Sequence, residues 1–444
     1  MLLFWGGVCL PAPFCNYWLD AYRRKNVALW ALAGIVCATV AFLFDGPLWG
    51  KWLARMMQGA SYSVFQIALG STLLLDLSDT KKRTEAAHVY YWFTRLALVF
   101  GPLSGIVVPM HYGVRLFANP MEKEVYSGEA KGVMFFGLGV HRPKDLPNNQ
   151  IRVPSNTTVY LAPGAVLKAK LLVDNAENVR IIGRGILDHP VRGIEITDSE
   201  NVLVDGITVV NPEHYTVFGG GSSEIVIRNL KSFSCRSWSD GIDMMCCRKV
   251  LVDNVFLRTS DDCIALYNHR WNWWGGSSDI TVQNSVLWAD VAHPINVGGH
   301  GDPDSSTGEV IENLTFRNVD ILEHDEDDPM YQGCMTVDCG DRNRVRNVLF
   351  EDIRVEHIQE GRLFYVKVRF NPKYDRQPGS SIEGVVFRNI TYTGVGENRS
   401  LIQGLSRDGM VRNVTFENVT INGEKMRDLK ETVTNEFISN VSVK

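Results

Sequence analysis

Asn201-Val202-Leu203-Val204-Asp205-Gly206-Ile207-Thr208-Val209 is one copy of a pattern that repeats along most of the chain, and the fold follows from it. Apolar and polar residues alternate, which is the period of a strand. An earlier copy is Asn178-Val179-Arg180-Ile181-Ile182, and Glu224-Ile225-Val226-Ile227-Arg228-Asn229-Leu230 and Lys249-Val250-Leu251-Val252-Asp253-Asn254-Val255 follow. Further copies begin at Asp279, Asn313, Asn347, Gly384 and Asn413. The spacing is about 23–25 residues at first and about 29–37 later. A two-residue polar step, such as Arg228-Asn229 or Asp253-Asn254, divides each copy into two short strands. One such unit cannot bury a core, but stacked units can. No helical pattern stands between the strands, so a βαβ sandwich is excluded. The fold class is all-β, a parallel β-helix. Asparagines at matching positions of successive coils are expected to form internal hydrogen-bonded ladders. The extra residues of later coils are expected to be loops that carry a binding groove.

The chain has 444 residues and a net charge of -5, which does not suit a nucleic-acid partner. Its mean hydropathy of -0.06 hides two unlike parts. Residues 1–110 are apolar and nearly free of acids, and residues 111–444 are polar and carry the repeats. Val27–Phe44, Trp52–Leu75 and Ala86–Val108 have spanning length, and residues 1–19 read as part of another span. Three to four transmembrane helices are therefore expected before the β-helix. Arg23-Arg24-Lys25 and Lys81-Lys82-Arg83 are expected on the cytoplasmic side. The β-helix then falls outside the cytoplasm, in the periplasm or at the cell exterior, anchored through residues 1–110.

Asn16-Tyr17-Trp18-Leu19-Asp20-Ala21-Tyr22-Arg23-Arg24-Lys25, with Arg55 and Gln58-Gly59-Ala60, resembles motifs of major facilitator transporters. Three or four helices cannot build an alternating-access pathway between two halves, so transport is not expected. The region reads as a membrane anchor, or as a truncated transporter gene joined to an unrelated one.

The nine cysteines show no zinc-binding spacing, and a Cys334–Cys339 disulfide is left open. No metal and no cofactor is expected.

A second strand in each coil can be aligned on Ile194, Val217, Ile242, Ile264 and Ile295. Tyr215, Asp240, Asp262 and His293 then share one position on four successive coils, with Asp261 adjacent in the chain. Neighbouring coils lie ~4.8 Å apart, so Asp240 and Asp262 stack. Carboxylates this close repel, which raises at least one pKa and keeps a proton available. Glycoside hydrolysis needs such a set: an acid for the leaving oxygen and a carboxylate for water. Asp243, within its strand, reads as structural.

Ser239-Asp240-Gly241-Ile242-Asp243, Ser260-Asp261-Asp262-Cys263-Ile264-Ala265 and Ala292-His293-Pro294-Ile295-Asn296-Val297-Gly298 resemble three motifs of glycoside hydrolase family 28, the polygalacturonases. They are also similar to family 49, the dextranases. Ser155-Asn156-Thr157-Thr158-Val159-Tyr160-Leu161-Ala162-Pro163-Gly164-Ala165 looks like the opening coil of both. The resemblance implies a right-handed, pectin-lyase-like β-helix and an inverting mechanism. It implies Asp261 as general acid, Asp240 with Asp262 as the pair holding water, and His293 tuning that pair. His300, in Gly299-His300-Gly301, is a rival for the histidine but falls off the coil register.

Two departures stand out. Trp238-Ser239 replaces the Asn-Thr that precedes the first aspartate in polygalacturonases, and Tyr365-Val366-Lys367 stands where they carry Arg-Ile-Lys. Lys367, with Tyr365 and Arg369, is the candidate for holding a uronate. Tyr267, His269, Trp271, Trp273 and Trp274 follow the aspartate pair and are expected to wall the groove, where aromatic faces stack on sugars. The expected partner is a polysaccharide or oligosaccharide, acidic or neutral. A neutral-glucan hydrolase, a non-catalytic sugar-binding β-helix and a lyase are the alternatives. Sugar binding alone needs no crowded carboxylates, and a lyase would want a calcium site and an Arg or Lys base.

Overall fold

The computed structural model describes Phe117, residues 119–122, 124–144, 146–394, 396 and 398–444. The expected membrane spans of residues 1–110 lie outside the described residues. Among the described residues, no helix is long and apolar enough to cross a membrane.

The described chain winds into stacked coils built from two sheets, one of twenty strands and one of eleven. The strand pairings are parallel, apart from the short hairpin of Thr420–Ile421 with Glu424–Lys425. The only helical element among the described residues is the 3-10 turn Pro147–Asn149. The large sheet takes the repeats found in the sequence: Glu200–Asp205 lies between Glu177–Gly183 and Ser223–Arg228, with Val202 level with Val179 and Ile225. In later coils the two short strands fuse into long ones, such as Ser277–Ala289 and Val310–Glu323.

The recurrent asparagines have a backbone reason. Asn178, Asn201, Asn313, Asn347 and Asn413 hold φ between 55° and 58°, and the polar-step residues Asn229, Asn254, Asn284, Asn318, Asn389 and Asn418 hold φ between 52° and 54°. Each coil thus turns through left-handed residues, which asparagine tolerates because its side chain bonds locally. Their amides do form ladders: Asn201 donates to Asn178 at 2.7 Å, Asn254 to Asn229 at 2.8 Å and Asn418 to Asn389 at 2.9 Å. These ladders are exposed and run along the outer corners, so the expected internal position is corrected. The interior is apolar instead. It includes a stack of Phe316, Phe350, Phe387 and Phe416, with ring centroids 4.9, 4.9 and 5.1 Å apart.

The eleven-stranded sheet carries the register that matters for function. Ile194, Val217, Ile242, Ile264, Ile295 and Met335 are successive partners, and all point into the core. The next residue of each strand faces outward, giving the row Glu195, Phe218, Asp243, Ala265, Asn296, Thr336, Tyr365. Loops 268–276 and 369–380 leave the ends of these strands, and loop 324–332 leads into Gly333–Cys339. Cys334 and Cys339 are both free thiols, so the open disulfide reading is settled against the bond.

Candidate active site

Asp240 and Asp262 each stand two residues before a strand of the smaller sheet, and the backbone stacks them. The carbonyl of Asp240 accepts from Thr216, that of Asp262 from Gly241 at 2.8 Å, and that of His293 from Cys263 at 2.8 Å. Asp261 joins the stack through its neighbour. One oxygen from each of Asp240, Asp261 and Asp262 lies within 4.8 Å of the others. This trio is the only group among the described residues placed to share a cation.

Asp262 is the ionised member. Its Oδ1 accepts from the His293 ring at 2.6 Å and from the His293 backbone at 3.0 Å. Its Oδ2 accepts from Asn296 Nδ2 at 2.8 Å and from the Tyr267 hydroxyl at 3.2 Å. All four lone-pair positions of the carboxylate are engaged. Burial works to raise its pKa, but the charge and hydrogen bond of His293 and the Asn296 amide hold it below the usual range.

The other nitrogen of His293 faces the carbonyl of Tyr331 at 2.5 Å. A carbonyl only accepts, so Nε2 carries a proton, and the imidazolium satisfies both contacts. Burial opposes that charge, but Asp262 outweighs it and lifts the pKa to about 9. The ring is fully buried and does not reach the cleft.

Asp240 and Asp261 move the opposite way. Burial, then crowding by the carboxyls of Asp243, Asp261 and Asp262, pushes Asp240 well above the usual range. Burial and the Asp262 charge push Asp261 up to about 7. The three titrate as a set, with Asp262 as the fixed negative charge.

Asp243 faces outward, not into the core. It is fully buried, and neither oxygen has a hydrogen-bond partner among the described residues. Burial and the Asp262 charge hold it well above the carboxylate range, so it is neutral.

The aromatic insertion folds back over the sheet. Trp273 packs 5.2 Å from Phe218 and covers Gly220, where a Cβ would meet the indole at 2.6 Å. Trp271 lies 5.6 Å from Phe218 and 6.2 Å from Tyr215. Trp274 stacks on His269 at 4.4 Å and is 61% exposed. Glu309 clamps the segment by accepting from the amides of His269 and Gly275. The tryptophans are therefore partly a small satellite core and partly wall.

Tyr267 sits at the floor, on Asp262. His300 lies beyond its strand, with its ring 4.9 Å from that of Tyr267. Burial and the charges of Arg270 and Arg369 keep it neutral. Two expected substrate contacts are corrected. The Tyr365 side chain is buried and donates to the Met330 carbonyl. Arg369 is 3% exposed and held by Asp338 at 3.1 Å and Asp375 at 3.4 Å. Lys367 does face outward, half-buried, with no hydrogen bond or ion pair to a described residue.

Sequence reasoning left out Asn296, Tyr331, Glu309 and Arg270. Asn296 stood in a quoted motif and Arg270 in the quoted insertion, each passed over for louder neighbours. Tyr331 and Glu309 act from loops without a pattern.

Against known proteins, 248 residues of the chain are 25% identical to a probable endopolygalacturonase D of Neosartorya fischeri, covering 55% of this chain and 46% of that protein. The chain spans about half the length of the curated relatives it matches. A separate 97-residue match, 27% identical, is to YqjV, an uncharacterized MFS-type transporter of Bacillus subtilis, covering 22% of this chain and 23% of that one. Among solved structures, the family 28 exopolygalacturonase of Yersinia enterocolitica superposes with a TM-score of 0.51 at 15% identity, over 70% of this chain and 73% of that one, which shows the shared fold. Residues 157–440 match the glycosyl hydrolases family 28, and with the stacked aspartates inside that span, the chain belongs to this family.

Proposed function

We propose that this protein hydrolyses glycosidic bonds of an acidic polysaccharide, with polygalacturonate as the first substrate. The observation that carries the reading is the aspartate trio, in which one member is locked as a charge and two hold raised pKa values. The endopolygalacturonase relative and the outward, unpaired Lys367 support an acidic substrate.

Asp261 donates its proton to the leaving glycosidic oxygen as the C–O bond breaks. Asp240 acts in the fraction of the protein in which it is ionised, where its raised pKa makes it a strong base, and takes a proton from the water whose oxygen bonds to the anomeric carbon. Asp262 does not take that proton, because its lone pairs are filled. Its charge raises the basicity of Asp240 and keeps Asp261 protonated near pH 7. The products leave with the proton on Asp240, which returns to Asp261 through solvent.

Inversion is what the family resemblance implies. The spacing of the trio supports a second reading, since inverting pairs usually stand ~6.5–9.5 Å apart and retaining pairs ~5–5.5 Å. Proton NMR of the first anomer released separates the two.

Reducing-sugar release from polygalacturonate, rhamnogalacturonan, dextran and pullulan, beside Asp261→Asn, tests the function. Release from polygalacturonate that disappears in the variant is expected. Release from dextran alone would replace the substrate class, and no release from a folded protein would remove hydrolysis. The same reading puts the β-helix outside the cytoplasm, supported by the Arg/Lys placement in residues 1–110. Protease accessibility on intact cells checks it.

A further inference from the structure

We propose that Arg270 is a second anion-recognition residue of the cleft, binding the carboxylate of a uronic acid unit other than the one met by Lys367. The inference rests on the hydrolase reading above and adds the residue that would select acidic sugars beside the aspartates.

Arg270 opens a tight turn, with the Trp273 amide donating to its carbonyl at 3.3 Å. Its guanidinium carbon lies 5.5 Å from the Tyr267 ring and 5.0 Å from the Trp271 ring. Two aromatic rings therefore flank the cation, a contact that engages its charge without using its N–H edges. Those five donors form no hydrogen bond or ion pair with any described residue. A planar fork with free edges is suited to a carboxylate in two parallel hydrogen bonds.

The other arginines of the site show how different this is. Arg192 also lies over Trp271, at 5.3 Å, yet its guanidinium is engaged by Glu195. Arg369 is engaged by Asp338 and Asp375. Arg270 is half-buried and has no such partner, although its field reaches Asp240, Asp243 and Tyr215. Asp243, the buried carboxyl nearest in character to a counter-ion, forms no bond to it.

Position assigns Arg270 its own sugar unit. It follows directly on strand Ile264–Tyr267, the coil of Asp262, whereas Lys367 lies on strand Arg362–Val368. Strands Ile295–Gly298 and Gly333–Cys339 intervene. Three coil steps place the two backbones ~14 Å apart along the stack. The charge also suits the site. His293 already offsets Asp262, and an anionic sugar brings a further negative charge that only an unpaired cation can meet.

The test compares wild type, Arg270→Met and Arg270→Lys on polygalacturonate and on its methyl ester, with circular dichroism for folding. Methionine keeps apolar contact with the rings and loses the charge and fork. The ratio of kcat/KM for acid over ester should fall ~10–100-fold in Arg270→Met, carried by KM, because a hydrogen bond to a charged group contributes ~1.5–3 kcal/mol. Arg270→Lys should recover part of that ratio. Binding of oligogalacturonate to Asp261→Asn and to Asp261→Asn/Arg270→Met gives a readout independent of turnover, and the double variant should bind more weakly by a similar factor. Equal losses on acid and ester, or unchanged oligogalacturonate binding, would overturn the role of Arg270 alone. A folded wild-type protein that neither cleaves nor binds galacturonate would overturn the hydrolase reading and this inference together.

Discussion

Replacing His293 with glutamine should move the whole pH profile of activity upward, because the imidazolium is the charge that holds Asp262 ionised. The rise of His293 from 6.5 to about 9 corresponds to ~3 kcal/mol of attraction, at about 1.4 kcal/mol per tenfold change. The same energy acts on the partner, which sits 2.6 Å away and is fully engaged. Without it, Asp262 should titrate higher and hold a proton where the wild type does not. Asp261, whose pKa His293 also lowers, should follow. The assay is kcat/KM on the hydrolysed polymer from pH 4 to 9. Activity of the variant near pH 5 should fall ~10–100-fold, with a smaller loss at its shifted optimum. Stability should report the same contact. The folded value of His293 lies above its unfolded one, so its contribution is complete below pH 6.5 and is lost as pH rises through 9. The depressed Asp262 sets the other edge, where the contribution is lost as pH falls through a value below 3.8. The variant should therefore be ~3 kcal/mol less stable at pH 6, and this deficit should vanish above pH 9. A uniform loss of activity at every pH, with both limbs in place, would refute the assignment of His293 as the group that sets the Asp262 charge.

Three further outcomes are expected. Wild-type kcat/KM should fall ~tenfold per pH unit above about 7, as Asp261 loses its proton, and Asp261→Asn should cost ~10²–10⁴ at the optimum. Gly220→Ala places a Cβ 2.6 Å from the Trp273 indole, so it should cost ~1–3 kcal/mol of stability, shift tryptophan emission and lower activity by moving the 268–276 segment. Unchanged emission and activity would show that the segment is not seated there. Lys249 holds φ 55° at a corner where other coils carry asparagine, so Lys249→Asn should raise stability by ~0.5–1 kcal/mol in urea unfolding. A neutral or destabilising result would count against the left-handed corner as the reason for the asparagine repeat.

The sequence by itself determined the coil repeat, the all-β class and the stacking of Asp240, Asp262 and His293. Alternation along a strand settles which residues share a face, and a constant apolar register settles which coils are level. That is why Ile194, Val217, Ile242, Ile264 and Ile295 are legible as partners in the sequence alone. Lys367 stood out in the sequence only by its place in a motif, and the strand register puts it on the outer face. Only the tertiary structure decided what each outward group is free to do. Tyr365 shares that face with Lys367 but is covered, because its hydroxyl meets a carbonyl 35 residues earlier. Arg369 is taken by Asp338 and Asp375, while Arg270 is left without an ionic partner. The imidazolium state of His293 rests on Tyr331, 38 residues away in a loop without a repeat. Periodicity carries information only where the chain is periodic. Proton positions and free charges are decided by loops that are not, and by burial that multiplies the effect of each contact they make.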